Sequence, residues 1–124
     1  MNYTTEQLAS IEKVKTVFAG YIEKFDDMDL IYSEKAGYIL LYGIRPSEGR
    51  LTLDPIFIRE GGQLCDFLLY ELACEVMTSL GHFHDIHEAS ESERHSIENA
   101  FNEYMKYLPE YSDLIEKQFK NPMK

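Results

Sequence analysis

The spacing of apolar residues changes character twice along this chain, and each change marks a change of element. Leu8, Ile11, Val14, Phe18, Tyr21, Ile22 and Phe25 recur three and four residues apart. That period predicts a helix over 5–25. Glu12, Lys13, Lys15 and Glu23 fall between them, on the polar side. Thr4 and Gln7 have the spacing of a capping box at its start, and Gly20 is a weak point inside it. Asp26-Asp27-Met28-Asp29 ends it.

The next segment reads as strand. Leu30-Ile31-Tyr32 and Tyr38-Ile39-Leu40-Leu41-Tyr42 are short β-rich runs, and Ser33 to Gly37 between them has the composition of a hairpin loop. Arg45-Pro46-Ser47-Glu48-Gly49 predicts a second turn. Leu51-Thr52-Leu53 and Ile56-Phe57-Ile58 predict a third strand interrupted by Asp54-Pro55. Proline donates no ladder hydrogen bond, so this strand belongs at an edge or carries a bulge. The expected product is a three-stranded antiparallel meander over roughly Leu30 to Ile58.

From Gln63 to Leu80 the period is helical again, and much more apolar. Cys65, Leu69, Leu72, Ala73, Val76, Met77 and Leu80 fall on one broad side of a helix bounded by Gly61-Gly62 and Gly81. Glu71 and Glu75 stack on the other side, flanked by Phe67, Leu68 and Cys74. Ser90 and Glu93 form a second capping box ahead of Ile97, Ala100, Phe101, Tyr104, Met105 and Leu108. Pro109 stops that helix, and Tyr111, Leu114, Ile115 and Phe119 mark a last one that ends at Asn121-Pro122. The order is α-β-β-β-α-α-α, an α+β domain covering 1–124, with the apolar helix at its centre.

Composition narrows the class. A chain of 124 residues that is 44% apolar suits one domain with a real core. The central helix is too short and too acidic to span a membrane, and no N-terminal run reads as a signal peptide, so the expected location is cytoplasmic. Cys65 and Cys74 are nine residues apart in one predicted helix, a rise of roughly 13 Å. A disulfide requires Cα atoms within about 7 Å, so they are expected as free thiols of a reducing compartment.

Charge changes the picture further. The net charge is −10, and Glu60, Asp66, Glu71, Glu75, Asp85, Glu88, Glu91 and Glu93 follow one another with no intervening Lys or Arg. The segments before and after are nearly balanced. Such a region repels nucleic acid and attracts a basic protein partner or a cation.

Three groups of residues carry candidate chemistry. His82, His84 and His87 lie within six residues, with Asp85 and Glu88 among them. Imidazole and carboxylate are the usual ligands of zinc, nickel or iron, and Glu71, Glu75 or His95 could complete such a set. The spacing matches none of the established zinc signatures, and histidines after a helix also suit its negative C-terminus. Cys65 and Cys74 sit among apolar groups and carboxylates, an environment that disfavours the thiolate and hence nucleophilic catalysis. Asp66, Glu71 and Glu75 with Phe67 and Leu68 make a mixed acidic and apolar surface of the kind that suits a protein partner or self-association.

No G-x-S-x-G, phosphate-binding loop or dinucleotide fingerprint occurs, so a non-enzymatic role is favoured. The leading expectation is a small acidic binding or regulatory protein that uses Asp66, Phe67, Leu68, Glu71 and Glu75 against a protein partner, with no cofactor. The alternative is a metal-binding domain or metal-assisted hydrolase centred on His82, His84, His87 and Glu88, loaded with a divalent transition metal. A third is a subunit that exists only as a homodimer.

Overall fold

A computed structural model describes residues 2–24, 28–42, 55–82 and 84–120. The element order follows the α-β-β-β-α-α-α expectation, with the first helix in two pieces. The chain divides into two compact units, Met1–Leu64 and Cys65–Lys124.

In the first unit, α1 (Thr5–Val17) opens on the predicted capping box. The Thr4 amide donates to Gln7 Oε1 at 2.9 Å, and the Gln7 amide donates to Thr4 Oγ1 at 3.0 Å. Two of the four orphan donors at the helix start are thereby satisfied. The predicted 5–25 helix is interrupted at Phe18, whose φ of −94° and ψ of 7° leave the helical region, and α2 (Ala19–Lys24) resumes after it. The backbone bonds Phe18 to Val14 and Ile22 to Phe18 persist on either side, so the break is a local deviation in an otherwise continuous apolar stripe. A poor helix former at Gly20 favours a break here. Ile11, Val14, Phe18 and Tyr21 are buried, as their spacing requires. Residues 25–27, where the helix was expected to end, lie outside the described residues.

The sheet is the expected antiparallel meander of β1 (Met28–Ser33), β2 (Gly37–Tyr42) and β3 (Ile56–Phe57), in that spatial order. Ser33 pairs with Gly37, and Ser33 Oγ accepts from the Ala36 amide at 2.9 Å within the turn. Gly37 has a φ of +76°, in the left-handed region that favours glycine. Tyr3 closes over the same point. Its hydroxyl donates to the Ile58 carbonyl at 2.7 Å and accepts from the Tyr38 amide at 2.9 Å. Leu40 and Ile58 are buried, and Ile31 and Phe57 are exposed. The predicted 45–49 turn and the 51–53 half of the third strand lie outside the described residues.

The long helix α3 (Gly61–Ser79) starts in the first unit and runs into the second. At its entry the Gly61 amide donates to Ser10 Oγ at 2.8 Å, and a Cβ there would collide with the Ser10 backbone. Leu64, Cys65, Leu68, Leu69, Leu72, Ala73 and Met77 are buried along it. At 100° per residue they span about 220° of its circumference, a wider arc than the expected face. Val76 is only half-buried and Leu80 is 43% exposed, so the last turn of that face opens to solvent.

A Schellman arrangement ends α3. The Gly81 amide donates to Thr78 O and the His82 amide to Met77 O, both at 2.9 Å, with Gly81 at a φ of +77°. A single 3₁₀ turn, Ile86–Glu88, leads to α4 (Glu91–Met105), whose Ile97, Phe101 and Met105 are buried. Pro109 opens a second 3₁₀ turn before the short α5 (Asp113–Phe119). The Phe119 ring lies 6.1 Å from that of Phe101, and the Arg94 guanidinium sits 4.4 Å above it. Arg94 also donates to Glu98 and to Glu116, so one side chain joins α4 to α5 by both charge and stacking. The expected stop at 121–122 lies outside the described residues.

Candidate functional site

The segment between α3 and α4 carries the chemistry, and one carboxylate organises it. Glu93 is the third residue of α4 and only 4% exposed. Its Oε1 accepts from the Ser90 amide at 2.7 Å, which completes the capping box. The same carboxylate meets two imidazoles: Oε1 lies 3.1 Å from His84 Nε2, and Oε2 contacts His82 Nδ1. The Ser90 amide, opposed by desolvation and then helped by the Ser90 hydroxyl and the two histidines, lowers the Glu93 pKa to about 2. An ionised carboxylate only accepts, so both facing nitrogens carry protons. His82 Nε2 and His84 Nδ1 are the ring nitrogens not engaged by Glu93. The rings stack at 6.0 Å with 19° between their planes.

Both imidazoles border a cavity of about 250 Å³ lined also by Tyr70, Cys74, Met77, Thr78, Asp85 and Ile86. Tyr70 and Cys74 lie one helical turn apart on α3 and hydrogen-bond to each other. Burial raises the Cys74 pKa; the Tyr70 hydroxyl opposes this, while Glu71 and Asp85 add to it. The thiol is therefore protonated at neutral pH. The cavity combines a thiol, two imidazoles, a carboxylate and two hydroxyls with an apolar floor, a mixture able to bind a cation or a small polar ligand.

The structure divides the histidine cluster that the sequence presents as one. His82 and His84 belong to Glu93 and the cavity. His87 turns to Glu88, with its Nε2 at 3.6 Å from Glu88 Oε1, and ligand atoms of Asp85, His87 and Glu88 lie within 4.8 Å of one another. Asp85 and Glu88 are exposed there, and exposed acidic groups converge commonly without an ion. Sequence reasoning places Glu93 as a helix cap alone. Its second role was hidden because contact with His82 and His84, eleven and nine residues back, depends on how the intervening loop folds.

The acidic surface is also redrawn. Leu68 is fully buried, because the apolar arc of α3 is wide enough to include it, and it cannot meet a partner. Asp66 lies about 140° around the helix from Glu71 and 180° from Glu75. It is engaged by Lys117 Nζ at 3.0 Å and Gln118 Nε2 at 2.6 Å, so a base absent from the local sequence is supplied by α5. Glu71, Glu75 and Phe67 remain partly or fully exposed, joined by Tyr70 at 49% exposure. Cys65 is buried against Met105, with sulfurs 3.7 Å apart. Burial, then Asp66 and Glu110, push its thiol up to about 12. No helix among the described residues is long and apolar enough to cross a membrane. Comparison with protein families, with curated proteins and with solved structures finds no match for the chain.

Proposed function

We propose that this protein is a small, acidic, cytosolic binding protein that engages a basic protein partner through the exposed flank of α3. The observation that carries this reading is the composition of that flank. Tyr70, half exposed, stands next to Phe67 and Glu71 around the helix, and Glu75 extends the strip one turn beyond Glu71, on a helix that buries most of its other apolar residues. Tyrosine and phenylalanine supply rigid contact area, and the carboxylates supply orientation and encounter rate. The segment 60–93 carries eight carboxylates and no Lys or Arg of its own, and apart from Asp66, which Lys117 meets, they give that flank a negative potential reaching about 8 Å at physiological salt. Asp66 and Leu68 take no part, since one is paired to α5 and the other is buried.

The test begins with the partner retained by the immobilised protein from extract of its source cells, identified by mass spectrometry. Its association rate is then measured with wild type and with the Glu71→Gln/Glu75→Gln double variant. Glutamine keeps shape and helix propensity while removing two charges. Slower association and a flatter salt dependence between about 50 and 300 mM are expected of the variant. An on-rate that stays the same in both proteins across that range overturns the reading, as does the absence of any saturable partner.

A further inference from the structure

The geometry points to an anchoring pocket for one arginine of the basic partner, in the cavity at the C-terminal end of α3. The guanidinium lies on the Tyr70 ring and pairs with Asp85, and its aliphatic stem packs on Met77 and Ile86. The pocket rests on the reading of α3 as a partner-binding face and adds the side chain that the partner inserts there.

Four observations carry it. First, the cavity continues the proposed face. Phe67, Tyr70, Cys74 and Thr78 follow one another three and four residues apart, so one strip of α3 runs from the exposed flank into the cavity wall. Second, floor and rim differ. Met77 and Ile86 are buried, whereas Tyr70, Thr78 and Asp85 are exposed around them. An apolar floor under a polar rim matches a side chain that buries its methylenes and keeps its charge near water. Third, the rim is acidic. After burial, and against the Tyr70 hydroxyl, the Glu71 and Asp85 carboxylates raise the Cys74 pKa, so two negative charges bear on the cavity. Asp85, His87 and Glu88 bring one polar side-chain atom each within 4.8 Å of one another, which adds a third carboxylate at this edge. Such a rim repels phosphates and carboxylates and favours a cation. Fourth, a cavity of about 250 Å³ lies below the range of about 300–1,000 Å³ typical of pockets for drug-sized ligands, and suits a single side chain.

Arginine is preferred to lysine because a planar guanidinium can stack on a ring and bond a carboxylate at the same time. The chain does this with its own Arg94, which lies 4.4 Å over the Phe119 ring while donating to Glu98 and Glu116.

The test titrates isotopically labelled full-length protein with N-acetyl-arginine methylamide and, separately, with its citrulline analogue, which has the same length and no charge. We expect saturable amide shifts at Tyr70, Thr78, Asp85 and Ile86 with the arginine probe, at concentrations on the order of millimolar, and none with citrulline. Asp85→Asn should weaken the probe by about five-fold, the size of an exposed charge pair, and Tyr70→Leu by a similar factor. Asp85 makes no side-chain cap bond to the 3₁₀ turn it precedes and Tyr70 is half exposed, so both variants should fold, which their free spectra check. The comparison of arginine with citrulline on wild type needs no variant. Absence of saturable shifts overturns the pocket, as do equal shifts with citrulline or shifts confined to residues outside the cavity. With the retained partner, Asp85→Asn should raise the dissociation rate by about five-fold. An unchanged dissociation rate overturns the pocket and leaves the partner reading in place. A saturable arginine probe without any retained partner overturns the partner reading and leaves the arginine pocket in place.

Discussion

The two cysteines show how little a residue's neighbours in sequence fix its chemistry. Both sit on one helix among apolar and acidic residues, yet Cys65 is fully buried against Met105 and Cys74 is half-exposed at a cavity. In native protein at pH 8, a thiol reagent should modify Cys74 and spare Cys65, with both reacting after denaturation; equal native rates, read by mass spectrometry, would contradict the burial pattern. Glu93 offers a second residue-scale prediction. Its pKa is lowered from about 4.5 to about 2. A depressed carboxylate contributes stability that is present above its unfolded pKa and lost as pH falls through the folded one. That loss belongs between about pH 4.5 and 2. Denaturant midpoints of Glu93→Gln should therefore fall less steeply than those of wild type across this window, although other carboxylates titrate equally in both. The capping role of Glu93 was legible from the Ser90 to Glu93 spacing. The histidine contacts were not, because nothing in a period of three or four residues encodes where a loop returns.

Elements were the most legible scale. Apolar spacing located the strands of the hairpin, the long central helix and the helix opened by Ser90, because each has a period and a cap that act locally. The break at Phe18 was missed, since the apolar stripe continues through it and only the dihedrals change. The width of the buried arc on α3 was also missed. A wheel identifies which residues share a side, but how much of that side is covered depends on neighbours far along the chain. Leu69 and Leu80 separate the two cases. Leu69→Ala, at a fully buried position, should cost about 2–5 kcal/mol in equilibrium unfolding. Leu80→Ala, at 43% exposure, should stay within about 0.5 kcal/mol of wild type. Similar values at both positions would mean that the last turn of α3 is covered after all.

At the scale of the molecule, the α+β class and the order of elements follow from local signals added together, whereas pairings between distant segments do not. Lys117 with Asp66 is one such pairing, fifty-one residues apart, and it removes one carboxylate from an acidic run that looks uncompensated when read as text. Tyr3 is another. Its hydroxyl takes the Tyr38 amide and gives its own proton to the Ile58 carbonyl, so a single phenol near the start of the chain bridges two points of the meander. This makes the Tyr38 amide a clock for the N-terminal segment. Its exchange with deuterated solvent is slow while Tyr3 is seated and accelerates whenever residues 2–4 lift away, without any need for the sheet to melt. Tyr3→Phe should speed exchange at Tyr38 selectively and leave the Leu40 amide at its wild-type rate. If both amides accelerate together, the phenol is holding the strand rather than merely covering one of its donors, and the opening being timed is that of the sheet itself.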